Sequence, residues 1–128
     1  MLLVALLLVA PHVGSLPAHA QTNEAVSLIQ QINKLYGEKR YAEATPLALR
    51  LLTVREAELG PDHLEVAALL NILANLYQDQ GRFTNAEPLF KRSLAINEKA
   101  LGPSHSDVAL SLNNLALLYR IQGRYADA

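Results

Sequence analysis

Pro61–Ala86, PDHLEVAALLNILANLYQDQGRFTNA, returns forty-two residues later as Pro103–Ala128, PSHSDVALSLNNLALLYRIQGRYADA. Aligned without a gap, 14 of the 26 positions are identical, among them His63/His105, Leu70/Leu112, Ala74/Ala116, Tyr77/Tyr119 and Gly81/Gly123. A period between 20 and 50 residues marks stacked supersecondary units rather than one closed core. The chain is therefore read as an array, with each unit burying its apolar face against the next.

The register continues upstream. Tyr41, Ala44, Pro46, Leu47, Arg50, Leu52, Glu56, Leu59 and Gly60 precede Phe83, Ala86, Pro88, Leu89, Arg92, Leu94, Glu98, Leu101 and Gly102 by the same forty-two residues. Matching Tyr36 with Tyr77 and Lys34 with Asn75 shortens the offset to 41, which places a one-residue deletion in the turn Gly37–Arg40. On this alignment Asn33 stands where Ala74 does, and Ala48 where Phe90 does.

Within the middle unit, Val66, Leu69, Leu70, Leu73, Ala74, Leu76 and Tyr77 fall at helical spacing over Leu64–Gln80. Gly81 can end that helix in the left-handed conformation. A second helix is expected from about Asn85 to Ala100, with Thr84 and Glu87 at capping-box spacing and Pro88 in the first turn. Gly102-Pro103 stops it, and Ser104 or Ser106 is a candidate cap for the next. Ala44, Ala74, Ala86, Ala116 and Ala128 recur where two helices must approach closely.

The spacing Leu70-x2-Leu73-Ala74-x2-Tyr77-x3-Gly81-x4-Ala86-x3-Phe90 resembles the tetratricopeptide repeat. Its forty-two-residue period, with LGP-x-H, VA and LN-x-LA-x2-Y, is similar to the repeats of kinesin light chain and its bacterial relatives. The lack of a heptad coiled coil and the export signal described below point to an exported bacterial member, not kinesin light chain itself. The resemblance implies an all-α, right-handed α-solenoid of antiparallel helix pairs. It covers residues 24–128, with a divergent first repeat over about 24–60, a second over 61–102 and a third, incomplete at the C-terminus, over 103–128.

First helices of successive units line the concave face of such a solenoid. Asn71, Asn75 and Gln78 form a polar stripe at i, i+4 and i+7 on the middle one. The aligned positions are Gln30, Lys34 and Gly37 in the first unit, and Asn113, Leu117 and Arg120 in the third. Amides both donate to and accept from a peptide backbone, and Lys34 and Arg120 suit acidic groups. The expected function is a scaffold that binds a peptide or protein segment in this groove. A recruiting or regulatory arm of a larger enzyme, for example a peptidase, is the alternative. The truncated last unit predicts a longer natural chain, and its uncapped end offers a surface for self-association.

The amino terminus is separate from the repeats. Leu2–Ala10 is apolar throughout, and Ala18-His19-Ala20 precedes polar Gln21–Glu24. This is the layout of a secretory signal over residues 1–20, although no Lys or Arg precedes the apolar run. It predicts cleavage after Ala20, a periplasmic or secreted product, and only transient membrane contact.

At 128 residues and a net charge of −1 the chain is one small domain with no basic face for nucleic acid. Without cysteine there is no disulfide and no thiol chemistry. His63 and His105 are in phase but have no ligand-spaced partners, so each is expected to stabilise its turn rather than to bind metal. No HExxH, G-x-S-x-G or phosphate loop occurs, so neither catalysis nor a cofactor is expected. Glu56 and Glu98 read as solvated helix-surface charges.

Overall fold

A computed structural model describes the backbone over residues 18–123 and side chains from Asn23 onward. Of the expected signal segment, residues 1–20, positions 1–17 lie outside the described residues, while Ala18–Ala20 fall inside the first helix. Five helices follow one another: α1 (Ala18–Gly37), α2 (Tyr41–Leu59), α3 (Leu64–Asp79), α4 (Phe83–Leu101) and α5 (Ser106–Ile121). No strand occurs among the described residues. Close packing runs between successive helices, which is the all-α solenoid that the repeat implies.

Each helix end has a physical cause. Gly81 adopts φ +75°, and its N–H reaches the Gln78 carbonyl at 2.9 Å while that of Arg82 reaches the Tyr77 carbonyl at 2.8 Å. These two bonds make a Schellman closure around a left-handed residue. The same closure ends α1, where Lys39 at φ +60° takes the glycine position, with Lys39 N–H on Tyr36 (3.0 Å) and Arg40 N–H on Leu35 (2.8 Å).

The expected deletion in this turn is therefore absent. Lys39 corresponds to Gly81 at the full forty-two-residue offset, and the burial pattern agrees. Ala25, Leu28 and Ile32 are buried in the first unit where Ala67, Leu70 and Ala74 are buried in the second. Tyr36 stands in the register of Gln78, not Tyr77, and Ile32 stands in that of Ala74.

The second helix of the middle unit also starts earlier than expected. Arg82, already the last residue of the Schellman turn, is the N-cap of α4 and makes no side-chain cap bond. Asn85 and Ala86 N–H both reach the Arg82 carbonyl at 3.2 Å, which draws Thr84 into the helix. The expected Thr84–Glu87 capping box does not form. Glu87 instead accepts from the Tyr119 hydroxyl (2.8 Å) and pairs with Lys91 (3.0 Å). Pro88 consequently lies in the helix interior rather than its first turn, as Pro46 does in α2. Both prolines are exposed, so the carbonyl each leaves unbonded, on Thr84 and Ala42, lies one turn back on the water side.

The two in-phase histidines cap helices. His63 Nδ1 accepts from Glu65 N–H and His105 Nδ1 from Asp107 N–H, each at 3.1 Å. The imidazole thus does for α3 and α5 what a Ser or Asp oxygen usually does. Neither Ser104 nor Ser106 is the cap of α5.

Apolar burial and a few buried polar bonds hold the stack. Ala44, Ala74 and Ala86 have no exposed surface, so no larger side chain fits without parting the helices. Ser93 donates to the Ala67 carbonyl (2.8 Å) and Asn97 to Ser111 (2.9 Å), which fixes α4 against α3 and α5. On the other side Arg92 pairs with Glu56 and donates to the Pro61 carbonyl at 3.2 Å. Glu56 is therefore an inter-repeat tie rather than a solvated charge, whereas Glu98 is exposed as read.

Candidate interaction surface

The first helices α1, α3 and α5 carry the predicted stripe, and the corrected register alters its membership. Asn71, Asn75 and Gln78 on α3 are partly buried, while Asn113, Leu117 and Arg120 on α5 are exposed. The residues of α1 in the same register are Ile29, Asn33 and Tyr36, each one position before the predicted Gln30, Lys34 and Gly37. Gln30 and Lys34 are exposed and sit in the registers of Ile72 and Leu76. That is the side α3 turns toward the first unit, and on α1 no helix among the described residues packs against it. The two residues do not join the stripe.

A pocket of about 310 Å³ opens between α1 and α3. Ile29, Ile32, Asn33 and Tyr36 form one wall, and Leu69, Ile72 and Asn75 form the other. Ala48 and Leu51 of α2 make its floor. Of the predicted site residues only Asn75 lines it. The repeat explains the floor, because Ala48 holds the position that Phe90, 1% exposed, fills in the next unit. Ile32 returns part of that volume, being larger than Ala74.

Moving each lining residue on by forty-two gives Asn71, Ala74, Asn75, Gln78, Phe90, Ser93, Ser111, Asn114 and Leu117. The seam between α3 and α5 is thus amide- and hydroxyl-rich where the seam between α1 and α3 is mostly aliphatic, with Asn33, Tyr36 and Asn75 its polar members. Two acceptors on α3, Asn71 Oδ1 and Gln78 Oε1, are shielded from solvent and have no hydrogen-bond partner among the described residues. A shielded, unmatched acceptor costs about 1–3 kcal/mol.

Electrostatics at the rim come from few groups. The Tyr36 hydroxyl donates to Asp79 at 2.7 Å, joining the ends of α1 and α3, and its ring meets Tyr41 edge-on at 5.0 Å. The hydrogen bond to Asp79, then burial, push the Tyr36 hydroxyl up to about 12. Burial, then the bond to Glu87, raise Tyr119 as well. Arg82 lies over the Tyr77 ring, 4.9 Å from its centre. Away from the groove, burial outweighs Arg55 and raises the Glu58 carboxyl.

Among the described residues no cluster of three His, Asp or Glu side chains could hold a metal ion, and no helix is long and apolar enough to cross a membrane. The sequence missed Ile29 and Ile72 because apolar residues at helical spacing read as core by default, and Asn33 and Tyr36 because the one-residue slip in the register of α1 turned them away from the stripe. Only the recurrence of Phe90 as Ala48 could have drawn attention to the seam.

No curated protein matches the chain. Tetratricopeptide repeat profiles do match, one over residues 65–128 and a second over residues 35–65. Repeats of this kind generally mediate contacts between proteins. With half its length matched by one profile and the preceding unit by another, the chain belongs to the tetratricopeptide repeat family.

Proposed function

We propose that the chain holds a peptide or protein segment against the face formed by α1, α3 and α5. The observation that carries this reading is the pair of orphaned acceptors, Asn71 Oδ1 and Gln78 Oε1. They stand at i and i+7 on α3, about 10 Å apart along the axis, with Asn75 between them. Three residues of extended chain span the same distance, so backbone N–H groups of one bound strand can pair with both once the two amide side chains rotate outward from their shielded positions. Arg120, in the register of Gln78, supplies a cation to an acidic group of the same ligand.

The test is capture of binding partners by the chain beside an Asn71→Ala/Asn75→Ala/Asn113→Ala variant of unchanged helicity. Partners that disappear with the variant support the groove. Partners retained at full level move the interface to the opposite face or the turns. Export is a separate proposal, supported by Leu2–Ala10 and Ala18-His19-Ala20. A secreted product that begins at Gln21 would support it, and a cell-retained product beginning at Met1 would refute it.

A further inference from the structure

The pocket between α1 and α3 differs from the seam beside it in chemistry and in charge. Its walls are aliphatic apart from Asn33, Tyr36 and Asn75, and none of the residues lining it is charged. The α3 wall, however, belongs to a longer stripe: Glu65, Leu69, Ile72, Asn75 and Asp79 follow one face of the helix at i, i+4, i+7, i+10 and i+14. The pocket therefore has a carboxylate beyond each end. Among the described residues Asp79 accepts a side-chain hydrogen bond from the Tyr36 hydroxyl alone, and no cation pairs with it. Glu65 is exposed and pairs with Arg55 at 3.7 Å, a solvent-open contact beyond hydrogen-bond reach that a second base can join. Lys34 lies on the other side of α1, in the register of Leu76, so no cation of that helix offsets them.

We propose that this seam binds a partner segment that inserts a phenylalanine-sized, uncharged side chain between α1 and α3 and places a basic residue on either side of it. The proposal rests on the groove reading above and specifies what that groove takes at its amino-terminal end. Size supports it: an apolar cavity of about 150 Å³ accommodates a benzene ring, and this pocket of about 310 Å³ is larger. The next unit supports it too, since Phe90 occupies the space above which Ala48 leaves the floor recessed. Charge supplies the flanks. Residues 65 and 79 are about 21 Å apart along α3, the length of about six residues of extended chain. The inserted side chain then sits midway, about three residues from each base.

The test is a methyl and amide NMR titration of the full chain with the blocked heptapeptide acetyl-Lys-Ser-Gly-Phe-Gly-Ser-Lys-amide. Saturable shifts at Ile29, Leu69 and Ile72 are expected. Replacing the peptide's Phe by Ala is expected to weaken binding about tenfold or more, the consequence of losing one buried aromatic side chain. Replacing both Lys by Glu is expected to weaken it severalfold in low salt and less in high salt. Ala48→Phe, which fills the recess, is expected to abolish the shifts and to leave the helices intact. Ile72→Lys, at a site 42% exposed and tolerant of a charge, is expected to do the same should Ala48→Phe not fold.

Three results would each overturn the proposal: no saturable shift, an Ala peptide that binds as tightly as the Phe peptide, or a Glu peptide that binds as tightly as the Lys peptide. A chain that ignores the heptapeptide yet loses its partners in the triple-asparagine variant overturns this proposal and leaves the groove standing. Peptide binding that survives in the triple variant supports the seam independently of the amides on α3 and α5.

Discussion

Lys39 is the residue at which a side chain occupies backbone space that the repeat reserves for glycine. Its φ of +60° matches the +75° of Gly81 and +74° of Gly123, and the same pair of bonds closes the turn around Lys39 and around Gly81. A Cβ in the left-handed region costs about 1 kcal/mol or more, a cost that glycine escapes. Lys39→Gly is therefore expected to raise stability by about 0.5–1 kcal/mol in chemical denaturation, offset in part by the freer unfolded chain. A loss of stability would mean that the Lys39 side chain makes a compensating contact. Tyr36 supplies a second residue-scale expectation. Its hydroxyl is raised from 10.0 to about 12, so the neutral form is favoured in the folded state. The stabilisation from the Asp79 bond is full below about pH 10 and is lost as pH rises toward 12. Ultraviolet titration of the five tyrosines should show late components from Tyr36 and Tyr119, and Tyr36→Phe should remove one of them.

At the scale of the helix, termini decide more than interiors. His63 and His105 each satisfy one N–H that the first turn of a helix leaves unbonded. His63→Ala is expected to cost about 1 kcal/mol, and His63→Asp to restore most of it, because a carboxylate can take the same N–H. Equal stability of both variants would show that the imidazole caps nothing. These caps also show what sequence could and could not disclose. The body of α3 was legible because seven apolar residues keep one helical phase. The capping function of the histidines was legible only as a turn bond of unspecified kind. The start of α4 was misplaced, since a local capping-box pattern lost to a Schellman turn that runs straight into the helix at Arg82. The register of α1 was misread for a related reason. A Tyr36/Tyr77 identity outweighed the turn, and nothing in the letter Lys announces a left-handed backbone. That slip of one position rotated Gln30 and Lys34 into the predicted groove and left out Asn33 and Tyr36. The amides of α3 were legible because polar residues interrupt an otherwise apolar helix, whereas the aliphatic seam looked like ordinary core.

Across the molecule, repetition of sequence does not give repetition of energy. A solenoid unit draws its stability from the neighbours that cover it, so equivalent residues differ with position in the stack. Leu70 has no exposed surface, whereas Leu112, forty-two residues on, is 50% exposed. Leu110 and Leu117 of α5 are likewise 56% and 45% exposed, though Leu118 and Val108 on its inner side are buried. The α3–α4 pair is bounded by helices on both sides, and buried bonds from Ser93 and Asn97 lock α4 to α3 and to α5. Opening free energies should therefore rise from α5 toward α3, as expected where helices differ in buried apolar contact. Leu70→Ala is expected to cost about 2–5 kcal/mol, the usual range for a fully packed leucine, while Leu112→Ala should cost under about 0.5 kcal/mol. Native-state amide exchange would check the same gradient without mutation. Amides of α5 should exchange at lower opening free energy than those of α3. Uniform protection, together with equal losses from the two leucine variants, would instead describe a single cooperative unit in which the exposed face of α5 is covered in solution, and would direct the search for partners to that face rather than to the seam between α1 and α3.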